Sequence, residues 1–321
     1  MTRWRLAIVV GACAVAGCSG QLDAGYDVPH GPLPVDERSA VVVVNDGARD
    51  NWQGEYAALL AASGQIDFVG LVVNSTTEYP SLETNVTGYR QMLNAARDSG
   101  MRHLPDATAS IAPALTEPAS SAIDDTSPNR SEGAQLILAA AATYGSAVHP
   151  LAITTGGALT DVADAYLMDH GLAERAVVVA SLGQTEADGS STFNPNGGRD
   201  TWATFIVASR MRLVQVNGYY DQLLDVPEDR TSELPQNAFG SWMADKRSDL
   251  LNVILACDQI SVLSAALPWF PSGVTHLSVD PTDPSHLVPD AAGQIWHVAE
   301  TDSARARGKV WAMLKDPKTF Q

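Results

Sequence analysis

The stretch AVVVVNDGARDNWQGEYAALLAASG occupies residues 40–64. Its four consecutive valines leave no polar face, as expected of a strand covered on both sides. The chain then enters a dense polar knot, Asn45-Asp46-Gly47-Ala48-Arg49-Asp50-Asn51. Apolar residues resume at helical spacing over 52–62 and stop at Gly64. A buried strand, a turn and a helix account for this pattern. A ligand site at the strand's carboxyl end accounts for it as well, and gives a reason for so many carboxylates and amides in seven positions.

The same alternation recurs downstream. Residues 68–73, 151–154, 176–181 and 212–216 read as further buried strands, and 85–97, 132–144, 160–168 and 200–209 as helices. Strands alternating with helices predict parallel βα units, so the fold class is α/β, a single doubly wound, mostly parallel sheet flanked by helices. Residues 107–129, rich in Ser, Pro, Asp and Thr, read as a long loop, and 303–314 as a closing helix. No domain break or short-period repeat interrupts residues 39–321.

Residues 1–18 read differently. Arg3 and Arg5 precede an apolar run over 6–16, and Ala14-Val15-Ala16-Gly17-Cys18 closes it with small residues. This is the pattern of a secretory leader, too short to span a bilayer as a mature helix. Its end resembles the lipobox of bacterial lipoproteins, which implies lipidation at Cys18 and a domain held outside the cytoplasm at the cell envelope, with the lipid as its only membrane contact. Residues 19–38 then read as a tether. With Cys13 in the leader and Cys18 lipidated, Cys257 is the one cysteine of the folded part, so no intrachain disulfide is expected. Asp and Glu outnumber Lys and Arg by 37 to 20. That excess, without basic clusters, argues against nucleic acid as a partner.

Ligands of open parallel sheets sit at the carboxyl ends of the strands. Polar residues recur at two further strand ends. Thr154-Thr155-Gly156-Gly157-Ala158-Leu159-Thr160-Asp161 follows the strand at 151–153, and Cys257-Asp258 follows an apolar run over 251–256. Two carboxylates about 4 Å apart repel by roughly 4 kcal/mol at an effective dielectric near 20, so Asp46 and Asp258 on one rim would share a proton or a cation. Ca²⁺ suits such a set: Asp46, Asp258, the Asn51 amide oxygen and a backbone carbonyl from the Thr155-Gly156 turn. Asp and Asn also populate turns and helix caps for local reasons, which is the competing reading.

The arrangement resembles the inosine-uridine-preferring nucleoside hydrolases. The strand followed by Asp-Gly-x-x-Asp-Asn is similar to their N-terminal aspartate cluster, and Gly157-Ala158-Leu159-Thr160-Asp161 to their Gly-Pro-Leu-Thr-Asn turn. The strand at 176–183 followed by Asn196-Gly197-Gly198-Arg199-Asp200 resembles their Asn-x-x-x-Asp segment, and Cys257-Asp258 their His-Asp pair. The likeness spans roughly residues 40–279 in order.

The resemblance implies calcium-dependent hydrolysis of the N-glycosidic bond of a nucleoside or related riboside. Asp46 would bind Ca²⁺ and act as the base on the attacking water. Asn51, Asp258 and the Gly156 carbonyl would complete the metal set, and Asp50 and Asn196 would hold ribose hydroxyls. Self-association into a homo-oligomer stays open. Three departures stand out: Asn51 replaces an aspartate, the early ribose-binding Asn falls near Tyr79, and Cys257 takes the place of the histidine that protonates the departing base. A thiol with an ordinary pKa near 8.5 is a poor acid for that step, and the better reading of Cys257 is a small buried apolar residue, which the resemblance places beside the substrate. His276, His286 and His297 are substitute acids or structural residues; Trp52 and Trp202 stack on a ligand or pack helix starts. Asn51 and Cys257 also keep open a scaffold that binds a riboside or sugar at the cell surface without cleaving it.

Overall fold

The computed structural model describes residues 29–47, 52–217, 222–249 and 257–321. The leader, the lipidation position Cys18, and both Asp50 and Asn51 lie outside the described residues, as does the apolar run at 251–256.

Strand β1 (Ala40–Asn45) is buried throughout. Its valines alternate: Val41 and Val43 enter one core cluster and Val42 and Val44 the other, as side chains on a strand must. Helix α1 (Gln53–Ala62) leads to β2 (Asp67–Val73), α2 (Leu82–Asp98) and the short β3 (Ala107–Ala109). Then come α3 (Glu132–Tyr144), β4 (Leu151–Thr155), α4 (Thr160–Met168), a single turn α5 (Leu172–Arg175) and β5 (Ala176–Thr185). The chain continues through β6 (Ser191–Pro195), α6 (Thr201–Arg210), β7 (Arg212–Asn217) and α7 (Ala238–Asp249). It ends with α8 (Gln259–Ala266), β8 (Pro271–Val279), β9 (His286–Pro289), β10 (Ile295–Thr301) and α9 (Ser303–Lys315).

The parallel part of the sheet runs β3-β2-β1-β4-β5-β7-β10. One core cluster packs α1, α2, α8 and α9 on one face, and the other packs α3, α4 and α6 on the opposite face. This is the doubly wound arrangement expected. An antiparallel closure, which the sequence did not announce, completes it. Strands β8, β9 and β6 pair antiparallel and return the sheet onto the outer half of β5, through Gly183↔Pro195 and Thr185↔Ser191. One end of the sheet thereby closes into a ring.

Two features decide where a ligand can sit. The strand order leaves β1 in both directions, to β2 and β3 on one side and to β4 and β5 on the other. The crevice of such a switch point lies beyond the carboxyl ends of β1 and β4. The segment expected to be a tether also contributes to the body, because Leu33 and Val35 are buried in the core and Asp36 is held by Arg38.

Candidate active site

The switch point places Asn45-Asp46 at the end of β1 beside Thr155-Gly156-Gly157 at the end of β4. Asp258 stands at the start of α8, on the face that α8 shares with α1. A side chain at Gly156 would put its Cβ 2.3 Å from the Asp258 carboxyl carbon, and one at Gly157 would sit 3.2 Å from that of Asp46. The two glycines form a floor beneath the two carboxylates, and at Gly156 there is no room for a Cβ. Asp46 and Asp258 are both buried. Asp258 thus packs on Gly156 and Asp46 on the adjoining Gly157.

A chain of hydrogen bonds holds Asp258 and fixes its own direction. The Gly47 N–H and the Tyr89 hydroxyl donate to Asn45 Oδ1, each at 2.8 Å. Asn45 Nδ2 therefore faces the other way, donating to Gln53 Oε1 (2.7 Å) and Asp258 Oδ2 (3.2 Å). Gln53 Nε2 donates to Ser261 Oγ, whose hydroxyl donates to the Asp258 carbonyl. A backbone N–H starts the chain and a backbone carbonyl ends it, so the amides cannot be reversed without leaving buried groups mismatched. On the other side Asn196 Nδ2 donates to the Ser181 carbonyl (2.8 Å) and to Asp258 Oδ1 (3.2 Å). Asn196 is thus in the site, with its amide nitrogen positioning Asp258.

Arg199 lies inside the Asn-x-x-x-Asp motif, at a position to which the motif gives no role. It is carried on the turn 197–200 ahead of α6. Its guanidinium pairs with Asp46 Oδ2 through Nη1 and with Glu78 through Nη2, and lies 5.7 Å from the centre of the Tyr79 ring. Thr76 Oγ1 donates to the same Asp46 oxygen at 2.7 Å. Burial pulls the guanidinium pKa down, but the Asp46 and Glu78 carboxylates, with Asp258 adding to them, outweigh it and hold it above its usual value. The anchor of this turn is Asp200, which caps α6 through the Ala203 N–H and accepts from Thr160 Oγ1 and the Leu115 N–H. Asp200 is therefore a structural cap.

A calcium ion would need oxygen atoms turned inward. Among the described residues, the groups that meet the two carboxylates are hydrogen-bond donors: the Arg199 guanidinium and Thr76 hydroxyl on Asp46, and the Asn45 and Asn196 amides on Asp258. Of these donors the guanidinium, a fixed positive charge on Asp46 Oδ2, is the one that sets the site against the ion. The described residues hold one cluster of His, Asp and Glu with metal-ligand spacing, His30, Asp36 and Glu37, near the opposite end of the sheet and already committed to Arg38 and to one another.

The remaining candidates sort by their partners. Trp52 is wholly buried, with its Nε1–H on Asp225, and Trp202 is buried with its Nε1–H on Thr126, so both pack helix starts. Cys257 is half-buried, immediately before Asp258. His297 is enclosed in the closed end of the sheet between Thr185 and Thr275, where burial lowers its pKa; it does not stand among the site residues. His286 is held by Asp283 in a surface turn, and His276 packs beside Trp296. Behind the site, Asp161 accepts from Asn74 (3.0 Å), Ser110 (2.5 Å) and Ser131 (2.9 Å), tying the ends of β2 and β3 to the starts of α3 and α4. Desolvation raises its pKa, against the pull of those three donors.

No family model matches the sequence, and no curated protein matches it. Solved structures do. The inosine-uridine preferring nucleoside hydrolase from Bacillus anthracis superposes with a TM-score of 0.63 over 86% of this chain and 99% of its own, at 12% identity. The fold is that of the nucleoside hydrolases. The purine-preferring ribonucleoside hydrolase from Gardnerella vaginalis superposes with a TM-score of 0.57, covering 88% of this chain and 100% of its own at 13% identity. The type III effector XopQ, solved with adenosine diphosphate ribose, shares the architecture with a TM-score of 0.57, covering 91% of this chain and 96% of its own at 14% identity. Identities this low establish the nucleoside hydrolase fold and leave activity to be argued from the site.

Proposed function

We propose that the rim at Asp46, Gly156 and Asp258 receives the ribosyl part of a nucleoside or related riboside and hydrolyses its N-glycosidic bond. The observation that carries this reading is the convergence of two buried carboxylates on a glycine floor at the switch point of a nucleoside hydrolase fold. Asp46 is the group placed to take a proton from the attacking water, with the guanidinium beside it fixing its position. As the bond to the base breaks, positive charge develops on the sugar, and Asp258 supplies fixed negative charge to meet it. The Asn45 and Asn196 amides hold Asp258 in one orientation, so no reorganisation is needed at the moment of reaction. Asp50 and Asn51 remain proposed contributors from the polar knot, to sugar binding and to a ligand set respectively. No step is assigned to calcium.

Cys257, the residue before Asp258, is a weak proton donor for a leaving base. Substrates whose base departs unaided should therefore turn over best. We also infer from the leader and Cys18 that the domain works outside the cytoplasm, anchored by lipid at the cell envelope. The experiment is sugar release by the purified protein from a panel of nucleosides and a nitrophenyl riboside, for wild type and Asp46→Asn. Release lost with Asp46→Asn supports hydrolysis. Release unchanged by that substitution removes Asp46 from the chemistry.

A second reading has a specific observation behind it. Arg199 and Thr76 both occupy Asp46 Oδ2, an arrangement suited to holding a riboside without cleaving it. Riboside binding by calorimetry with no sugar released by wild type would select this reading.

A further inference from the structure

We infer that Arg199 is this protein's own cation at the Asp46–Asp258 pair, balancing with a guanidinium the charge that the sequence resemblance assigns to calcium. The inference rests on this rim being the working site, but not on turnover there. Three independent features carry it.

The first is placement. Arg199 is carried on the turn between Asn196, which holds Asp258, and Asp200, which caps α6, so both of its flanks are fixed by buried hydrogen bonds. Gly197 lets that turn lie against Phe193 and Thr204, where a side chain's Cβ would come within 3.0 Å and 3.2 Å of theirs. The guanidinium is thus delivered to Asp46 by a rigid support rather than by a wandering surface side chain. The second is its set of partners. Its side chain is only 11% exposed, pairs with one wholly buried carboxylate and one exposed one, and lies beside the Tyr79 ring. Arginine suits such a post because it keeps its charge when buried and offers several N–H groups in a fixed plane.

The third is the facing of the amides. Asn45 and Asn196 both present nitrogen to Asp258, and in each case a second partner dictates it: Gly47 and Tyr89 claim Asn45 Oδ1, and the Ser181 carbonyl claims the Asn196 nitrogen. A divalent ion beside Asp46 and Asp258 would be set against the positive charge of the guanidinium. Among the described residues, one positive charge, two amides and a hydroxyl meet the two carboxylates.

The decisive experiment is calorimetric titration of Ca²⁺ into wild type and Arg199→Met, with melting temperatures recorded with and without chelator and no riboside present. The expected result is a flat wild-type titration and a chelator-indifferent melting temperature, with Arg199→Met gaining stoichiometric calcium binding and chelator sensitivity. Stoichiometric calcium binding by wild type that disappears in Asp46→Asn overturns the inference, as does an Arg199→Met protein that folds and still takes no calcium. If Arg199→Met does not fold alone, calcium or millimolar guanidinium should restore it; failure of both overturns the assignment equally. Because metal is read without substrate, a protein that cleaves no riboside sinks the proposed function and leaves this result standing, and the reverse holds too.

Discussion

Replacing Arg199 by methionine should destabilise the protein in a way that separates its two arms. Asp46 is fully buried and would lose this partner of opposite charge. Removing one partner of a buried ion pair costs about 3–5 kcal/mol. The Glu78 arm is different: that carboxylate is 57% exposed, and exposed pairs contribute about 0–1 kcal/mol. At roughly 2 °C per kcal/mol for a domain of this size, Arg199→Met should lower the melting temperature by about 6–10 °C and Glu78→Gln by no more than about 2 °C. Asp46→Asn combined with Arg199→Met should recover much of the loss, since no buried charge is then stranded. Calcium at about a hundred times its dissociation constant should return about 2.7 kcal/mol to the single variant. Thermal unfolding monitored by circular dichroism measures all four proteins. An Arg199→Met protein that melts within about 2 °C of wild type would refute the claim that the guanidinium neutralises a buried charge.

Gly156→Ala drives a Cβ to 2.3 Å from the Asp258 carboxyl carbon and 2.4 Å from Asn45 Nδ2, so it should cost about 1–3 kcal/mol and abolish riboside binding; Gly308→Ala, in open space on α9, is the control and should be neutral or slightly stabilising. His297 has a folded-state pKa below its ordinary 6.5, so its contribution is present above pH 6.5 and is lost as pH falls through the lower folded value. His297→Gln should therefore flatten the fall in melting temperature between about pH 7.5 and pH 5. Lys246→Met strands Glu55, its buried partner at 2.8 Å, and should destabilise by about 3–5 kcal/mol, whereas Lys315→Met, whose partner Glu233 is exposed, should leave the melting temperature nearly unchanged.

Legibility in the sequence tracks how locally each feature is encoded. Strands β1, β2, β4 and β5 carry continuous apolar runs because both of their faces are covered, and such runs are visible in any window; β7 keeps the pattern with Gln215 as its one polar interruption. The helices between them show the matching period and stop at Ser, Gly or Asp. Strands β8, β9 and β10 escaped because they are only partly buried and carry His, Thr, Ser and Pro, so their alternation is broken; only pairing with one another and with β7 defines them.

The site divides the same way. Asp46, Gly156 and Asp258 stood out because each ends an apolar run. Arg199 did not, because its meaning depends on Asp46, 153 residues away, and Glu78, 121 away. Its one local signal was a lone cation after two glycines in a turn otherwise bare of positive charge. Asn45 and Tyr89 were equally silent, since each matters only through the direction it imposes on a neighbouring amide.

The central claim, that a riboside sits on the carboxylate rim with Arg199 as the resident cation, is tested most directly by a crystal structure with a C-nucleoside whose glycosidic bond cannot be hydrolysed, grown in millimolar calcium. The account predicts sugar hydroxyls within hydrogen-bond reach of the Asp46–Asp258 rim, the guanidinium still against Asp46, and no ion between the carboxylates. A ligand seated elsewhere, such as the cavity lined by Glu37, Gln65 and His103 at the other end of the sheet, or a calcium ion bridging Asp46 and Asp258, would contradict it.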